Sequence, residues 1–414
     1  MSEKNSSKKR IAVVTHFLDK QHGTERCVSE QVERLSSFYE IHIYAQNVED
    51  VVVQRAGKHQ AQNITYPSTN QKPLIWHKIP TLHMPYFIEY LWWFIGNHLW
   101  RWWDRIFKGL HYDLIYSPGV NCLDADVIIV FHVFSEFYKC IRKELQFFKN
   151  PVRMWPVFLH RILCYRLFIF LEKIVYSNQH LFLGAISHKV AKLIKDYHGK
   201  TASVIFLSVN PKILNSNARL QYRNKVRTSL QIENDTFVLL LIGNDWKVKG
   251  LPYLLQAMAI LKDIPLLLLI RGKDRVFLYE NLIINLGLFN KVRFIEAQPD
   301  ILHVLAPADA YVSPSLYDSY ALPPAEAMAC GLPVIVSSRA GVSELITDGV
   351  DGLILKNPTD INELTEKIRM LYENVDLQIR LGENAEKTMS QYTWDRNATE
   401  LQELLIKCYT QKLN

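Results

Sequence analysis

None of the six cysteines, at positions 27, 122, 140, 164, 330 and 408, shows CxxC or other metal-ligand spacing, and no metal-binding cluster is visible elsewhere in the 414 residues. A reduced cytosolic compartment is therefore the default, and no metal is expected. The first nine residues, MSEKNSSKK, read as loose and lack the apolar core of a secretion signal, so nothing at this N-terminus is expected to send the chain across a membrane. Long uncharged apolar runs are missing too. Glu89, Asn97 and His98 interrupt Pro85–Phe107, and Arg161 and Arg166 interrupt Lys139–Lys173, so neither stretch reads as a membrane span. The formal net charge of +7 comes without a recognisable nucleic-acid-binding module, which makes nucleic acid a poor partner. What is present is ordinary for a globular protein: 49% hydrophobic and 21% charged residues, over a length better suited to two cores than one.

Strand-like apolar runs alternate with longer helical stretches, the pattern of parallel α/β sheets. Strands are expected at Ile11–His16, Glu40–Ala45, Asp113–Ser117, Asp126–Phe131 and His180–Ser187, then at Thr236–Gly243, Leu266–Arg271, Val292–Glu296, Ala310–Ser313 and Pro333–Ser337. Two Rossmann-like domains follow, 1–207 and 208–390, joined near Leu207–Pro211. Ligands of open α/β sheets bind at the carboxyl ends of the strands, so two facing domains would form one deep cleft.

The densest chemistry lies between Pro314 and Leu355, PSLYDSYALPPAEAMACGLPVIVSSRAGVSELITDGVDGLIL, where Asp318 and Glu326 stand eight positions apart around a helix start. Ala310–Pro314 reads as a strand ending in a turn, and Ala325–Cys330 as a helix. Asp318, followed by Ser319, then lies in the loop ahead of the helix, where the backbone N–H groups of Tyr320, Ala321 and Leu322 would be unpaired and suited to an anion such as phosphate. Glu326 lies about one turn into the helix, where a carboxylate could accept both hydroxyls of a ribose. Upstream, LLLIGNDWKVKG reads as a buried strand that delivers Lys247 and Lys249 to a cleft rim, and either ammonium could neutralise a diphosphate.

This segment resembles the donor-site signature of the retaining family 4 glycosyltransferases, a Glu, seven residues and a second Glu, then Ala-Met-Ala-x-Gly-x-Pro-Val. EAMACGLPV matches almost letter for letter, whereas Asp318 stands where the family usually has Glu, and Ser-Tyr-Ala where aromatic-Gly-aromatic is common. The resemblance implies the GT-B architecture, with the nucleotide held by the second domain and a last helix, within 391–414, crossing back to the first. Lys249-Gly250 matches the family's Lys-Gly, while Asn244 replaces its Arg and Lys247 could compensate. Gly272, in IRGKD, matches a Gly turn that lies near the base or simply turns the chain. Gly23 matches one glycine of a Gly-Gly loop whose amide could touch the diphosphate or the sugar, and His132 aligns with a histidine beside the donor sugar. The resemblance thus makes Asp318, His132 and Lys249 the catalytic candidates, with a nucleotide sugar as substrate, protein charges instead of a divalent ion, and no cofactor. The leaving diphosphate needs cationic and amide stabilisation around an oxocarbenium-like centre.

Charge is distributed unevenly: residues 1–200 hold 26 Lys/Arg and 17 Asp/Glu, and residues 201–414 hold 22 and 24. The basic half contains Trp92, Trp93, Trp100, Trp102 and Trp103 within twelve residues, and Lys139–Lys173 mixes eight basic residues with Phe147, Phe148, Trp155, Phe158, Tyr165, Phe168 and Phe170. Such stretches fit interfacial helices on an anionic membrane, or packing inside the first domain. The expectation is a cytoplasmic transferase, peripheral on the cytosolic face of a membrane, that moves a sugar, with a UDP-sugar favoured, to a lipid-linked or envelope glycan. The alternatives are a soluble transferase acting on a small metabolite and a catalytically weak sugar-nucleotide-binding subunit.

Overall fold

The computed structural model describes residues 9–56, 73–141, 155–295 and 300–413. Glu296, Phe147, Phe148, Asn414 and the first eight residues, all part of the expectations above, lie outside them. The described chain forms two compact units, one running to Phe206 and resuming at Asp395, the other Leu207–Trp394.

Unit 1 is built on an eight-stranded parallel sheet in the order β10-β9-β8-β7-β1-β3-β6-β5, with a two-stranded pair β2-β4 beside it. Its strands are β1 (Arg10–Val14), β2 (Phe17–Leu18), β3 (Glu40–Ala45), β4 (Asn47–Val48), β5 (Val53–Arg55), β6 (Leu74–Lys78), β7 (Leu114–Pro118), β8 (Val127–Val130), β9 (Phe182–Ala185) and β10 (Ser203–Val204). The central strands are buried along almost their whole length, as expected of a parallel sheet covered on both faces. The last helix, Trp394–Leu413, packs on this unit: Asn397 Oδ1 accepts from Gln31 Nε2 at 2.9 Å, and Lys412 Nζ pairs with Asp126 at 2.9 Å.

Unit 2 holds β11 (Phe237–Ile242), β12 (Leu266–Arg271), β13 (Val292–Ile295), β14 (Ala310–Ser313), β15 (Val334–Ser337) and β16 (Leu353–Leu355), all parallel, in the order β13-β12-β11-β14-β15-β16. FVLLLI and LLLLIR pair in full register from Phe237–Leu266 to Ile242–Arg271. Their side chains form a dry core with the helices Leu251–Ile260 and Ile361–Glu373. From β11 the chain winds outward to β12 and β13, then jumps to β14 and winds the other way. The gap between β11 and β14 is thus a switch point, where loops leaving neighbouring strands diverge and open a crevice at the carboxyl edge.

The Trp-rich run is one helix, Tyr86–Lys108, and its amphipathicity is inverted. The face turned into unit 1 carries Asn97, Arg101 and Asp104 alongside Tyr90, Trp93 and Phe94. Arg101 forks onto Asp124 at 2.7 and 2.8 Å, and Asp104 accepts from Tyr44 Oη at 2.7 Å and pairs with His77 Nδ1 at 2.6 Å. The outer face exposes Ile88, Ile95, Leu99, Trp102, Trp103, Ile106 and Phe107. Trp93 departs from the boundary role expected of the tryptophans: it is 0% exposed and packs 4.8 Å from the His16 ring. Among the described residues no helix is long and apolar enough to cross a membrane.

Candidate active site

The loops after β11 and β14 meet at the switch point of unit 2. Leu316 N–H donates to the Val248 carbonyl at 2.8 Å, which clips the two loops together. Beyond that clip the Lys249 ammonium forms an ion pair with the Asp318 carboxylate, the two side chains being 19% and 12% exposed. From the other side the loop after β15 is bonded to the Asp318 segment: Gly341 N–H donates to the Asp318 carbonyl at 3.1 Å and Val342 N–H to the Tyr320 carbonyl at 2.6 Å. A β-carbon on Gly341 would lie 2.2 Å from the Ser319 carbonyl oxygen, so only glycine permits this approach. Asp318 is therefore held by backbone on both flanks, the preorganisation an electrostatic site requires.

The helix after Asp318 begins at Leu322, three residues earlier than expected, and runs to Ala329. Ala321, just ahead of it, has φ +70°, a conformation that costs a residue with a β-carbon roughly 1–2 kcal/mol. The amides expected to be unpaired are not all so: Tyr320 N–H donates to Asp318 Oδ1 at 3.3 Å. The N–H groups of Ala321 and Leu322 have no acceptor among the described residues, and Pro323 and Pro324 have no N–H to offer. The first turn thus presents two amides beside the Lys249–Asp318 pair. Tyr320 also points its hydroxyl away, donating to the Leu207 carbonyl at 2.6 Å, so its side chain anchors the loop. Ser319 is buried, with Oγ 3.3 Å from Tyr317 Oη.

Glu326 is buried on the same helix. Burial raises the nearby Tyr311 phenol far above its ordinary range, and the carboxylates of Asp318 and Glu326 push it further. Tyr311 therefore stays a neutral donor to the Ile242 carbonyl, at 3.2 Å. Lys247 is exposed on the same loop as Lys249, and Asn244 accepts the Lys273 N–H at 2.7 Å. Gly272 has φ +151°, and a β-carbon there would fall 1.9 Å from the Gly243 carbonyl oxygen. Its observed role is to let the turns after β11 and β12 touch. Lys249, Asp318, Ser319, Tyr320, Ala321, Leu322, Glu326, Lys247 and Gly272 all belong to unit 2.

Gly23 and His132 belong to unit 1. Gly23 opens the helix Gly23–Leu35 after β2; it is exposed, and a β-carbon there would meet nothing within 4 Å. His132 follows β8, is exposed, and lines an aromatic cavity. Among the described residues no group of three or more His, Cys, Asp or Glu side chains is placed to hold a metal ion. Sequence reasoning missed Gly341, whose only signal was a lone glycine ahead of a short helical turn, and the clip between Leu316 and Val248, which has no sequence signal.

Residues 223–388 match the family model for Glycosyl transferases group 1. An uncharacterized glycosyltransferase of Methanocaldococcus jannaschii is 32% identical over 204 residues, 48% of this chain and 52% of that one. The N,N'-diacetylbacillosaminyl-diphospho-undecaprenol alpha-1,3-N-acetylgalactosaminyltransferase of Campylobacter jejuni is 31% identical over 165 residues, 40% of this chain and 43% of that one. The chain thus spans about half the length of the curated relatives it matches, or less. Likeness of fold extends further. The crystal structure of WaaG, a glycosyltransferase involved in lipopolysaccharide biosynthesis, superposes with a TM-score of 0.72 at 16% identity, over 94% of this chain and 98% of that one. Anabaena HepE, solved with UDP and glucose, gives 0.67 at 16% identity, over 95% and 98%. The chain has the GT-B fold, and its residues 223–388 are a Glycosyl transferases group 1 domain.

Proposed function

We propose that this protein is a retaining glycosyltransferase, which moves a sugar from a nucleotide-diphosphate donor, a UDP-sugar by preference, to a lipid-linked or cell-envelope glycan. The observation that carries the reading is the Lys249–Asp318 pair at the switch point, beside the Ala321 and Leu322 amides and the buried Glu326. The ammonium and the amides would hold the diphosphate, Glu326 the ribose, and Asp318 the transferred sugar. As the donor bond breaks, negative charge grows on the diphosphate, and Lys249 with the amides is in place to meet it without reorganisation. No divalent ion is required in this scheme. The UDP complex of HepE supports the choice of nucleotide, and the undecaprenol-linked substrate in the name of the Campylobacter relative supports a lipid-linked acceptor.

Docking on the cytosolic face of an anionic membrane belongs to the same proposal. A water-facing helix normally turns its polar side out. Tyr86–Lys108 does the reverse, with Arg105 exposed beside Trp102, Trp103, Ile106 and Phe107 and Lys108 paired with Asp104. That mixture suits the headgroup region of an anionic bilayer.

Calorimetry with UDP, with and without EDTA, together with hydrolysis of UDP-sugars by the purified protein, tests the reading. Binding that persists in EDTA and slow donor hydrolysis are expected. Binding without hydrolysis or transfer would leave a sugar-nucleotide-binding subunit, and binding abolished by EDTA would overturn the metal-free scheme.

A further inference from the structure

Unit 1 contains a cavity of about 380 Å³ between the start of the helix Tyr86–Lys108, the segment after β8 and the helix Trp155–Tyr176, a size within the range of ligand pockets. Phe137, Tyr165 and Phe168 supply apolar wall, and His132, His160 and Arg161 supply its nitrogen donors. No acidic side chain is among its described lining residues. The wall is braced rather than collapsed. Phe87 N–H donates to His160 Nε2 at 3.3 Å, which leaves the ring proton on Nδ1, and Tyr90 packs edge-on against Phe168 at 4.8 Å. The helix Trp155–Tyr176 has one acid, Glu172, which is buried and accepts the Phe134 N–H at 3.1 Å. Its exposed charges, Arg161, Arg166 and Lys173, are all positive, and they alternate with exposed Leu159, Leu163 and Phe170.

Apolar walls with one cation, Arg161, two imidazole donors and no acid among the described lining residues select an amphiphile with an anionic head. We infer that this cavity receives the apolar chain of a lipid phosphate, with Arg161 and His132 holding the phosphate, and that it is the acceptor site of the transferase proposed above. On this reading His132 contacts the acceptor. The inference rests on the glycosyltransferase reading only for the word acceptor; the lipid-phosphate site stands on the cavity itself.

Farnesyl phosphate, below its micelle concentration, is the probe, and calorimetry with the full chain is the measurement. Affinity should rise with chain length, so that farnesyl phosphate binds at least about a hundredfold tighter than dimethylallyl phosphate. Arg161→Glu, at an exposed position, should weaken farnesyl phosphate about tenfold or more and leave farnesol unchanged. A variant with Trp102→Ser and Trp103→Ser, which lie outside the cavity lining, should bind the probe as the parent does. Affinity independent of chain length, insensitivity to Arg161→Glu, or an equal loss in the tryptophan variant would each overturn the inference. UDP titrations on the same preparations keep the two readings apart: lost UDP binding sinks the donor site alone, and lost probe binding sinks the cavity alone.

Discussion

Lys249 and Asp318 are paired with each other, and this decides what their substitution should do. Removing the carboxylate leaves a largely buried ammonium without its counter-charge, so Asp318→Ala should bind UDP as tightly as the parent or a few-fold more tightly, while turnover falls. Glu326→Ala should weaken both UDP and donor, because a hydrogen bond to a charged group is worth roughly 1.5–3 kcal/mol. Titration and steady-state kinetics of the two variants separate the roles; parental turnover by Asp318→Ala would remove this loop from the reacting sugar. Ala321 offers a test of strain. Relief of its φ of +70° should outweigh the added freedom of the unfolded chain, so Ala321→Gly should raise stability by up to about 1 kcal/mol in urea unfolding, and a loss of stability would show that the turn is not strained.

Elements with long, fully buried apolar runs were legible at once. β3, β12 and β14 coincide with the sequence expectation because EIHIYA, LLLLIR and AYVS each face a hydrophobic layer that local composition announces. β2, β4 and β10 did not appear, since two-residue strands exist only through their partners, as in Phe17–Asn47 and Ser203–Gly184. The Trp-rich run Tyr86–Lys108 was legible as an interfacial or packed helix, but not as one with a polar buried face. Its buried Asn97, Arg101 and Asp104 are satisfied by Asn121, Asp124, His77 and Tyr44, partners far enough along the chain that periodicity cannot reveal them. The spacing of Asp318 and Glu326 pointed to a candidate site, but the approach of Gly341 that fixes Asp318 did not show. The inverted face carries its own prediction. The protein should pellet with anionic vesicles and be released by salt, since such attraction is screened within about 10 Å at roughly 0.1 M. Trp102→Ser with Trp103→Ser should weaken pelleting without unfolding, because both side chains are more than half exposed; equal pelleting would remove this helix from the membrane model.

The two units differ in how they use histidine, and the whole molecule should therefore respond to acid unevenly. In unit 1, burial lowers His16 to about 4, opposed only in part by its 2.6 Å hydrogen bond with Gln46, and burial also lowers His42. A histidine held neutral in the fold takes up its proton first when unfolded, so its contribution to stability is complete above the ordinary value near 6.5 and is lost as pH falls toward 4. For His16 alone the loss at pH 5 is about 2 kcal/mol. Asp104 is affected only at lower pH. Burial alone would raise its carboxyl, but hydrogen bonds from His77, Lys108 and Tyr44 outweigh that and hold it well below the usual range, so its contribution disappears below the ordinary aspartate value near 4. Unit 2 shows no such histidine: among its described residues the one histidine, His303, is partly exposed beside Asp300. Between pH 7 and 5, then, unit 1 should lose stability while unit 2 holds. Urea unfolding followed by UDP binding for unit 2, and by vesicle pelleting for unit 1, should show the pelleting midpoint falling with pH and the UDP midpoint nearly constant. His16→Gln, which cannot titrate, should flatten most of that fall. If both midpoints fell together, or the variant kept the full slope, the acid sensitivity would lie elsewhere and the neutral His16 would not be what stabilises the packing around Trp93.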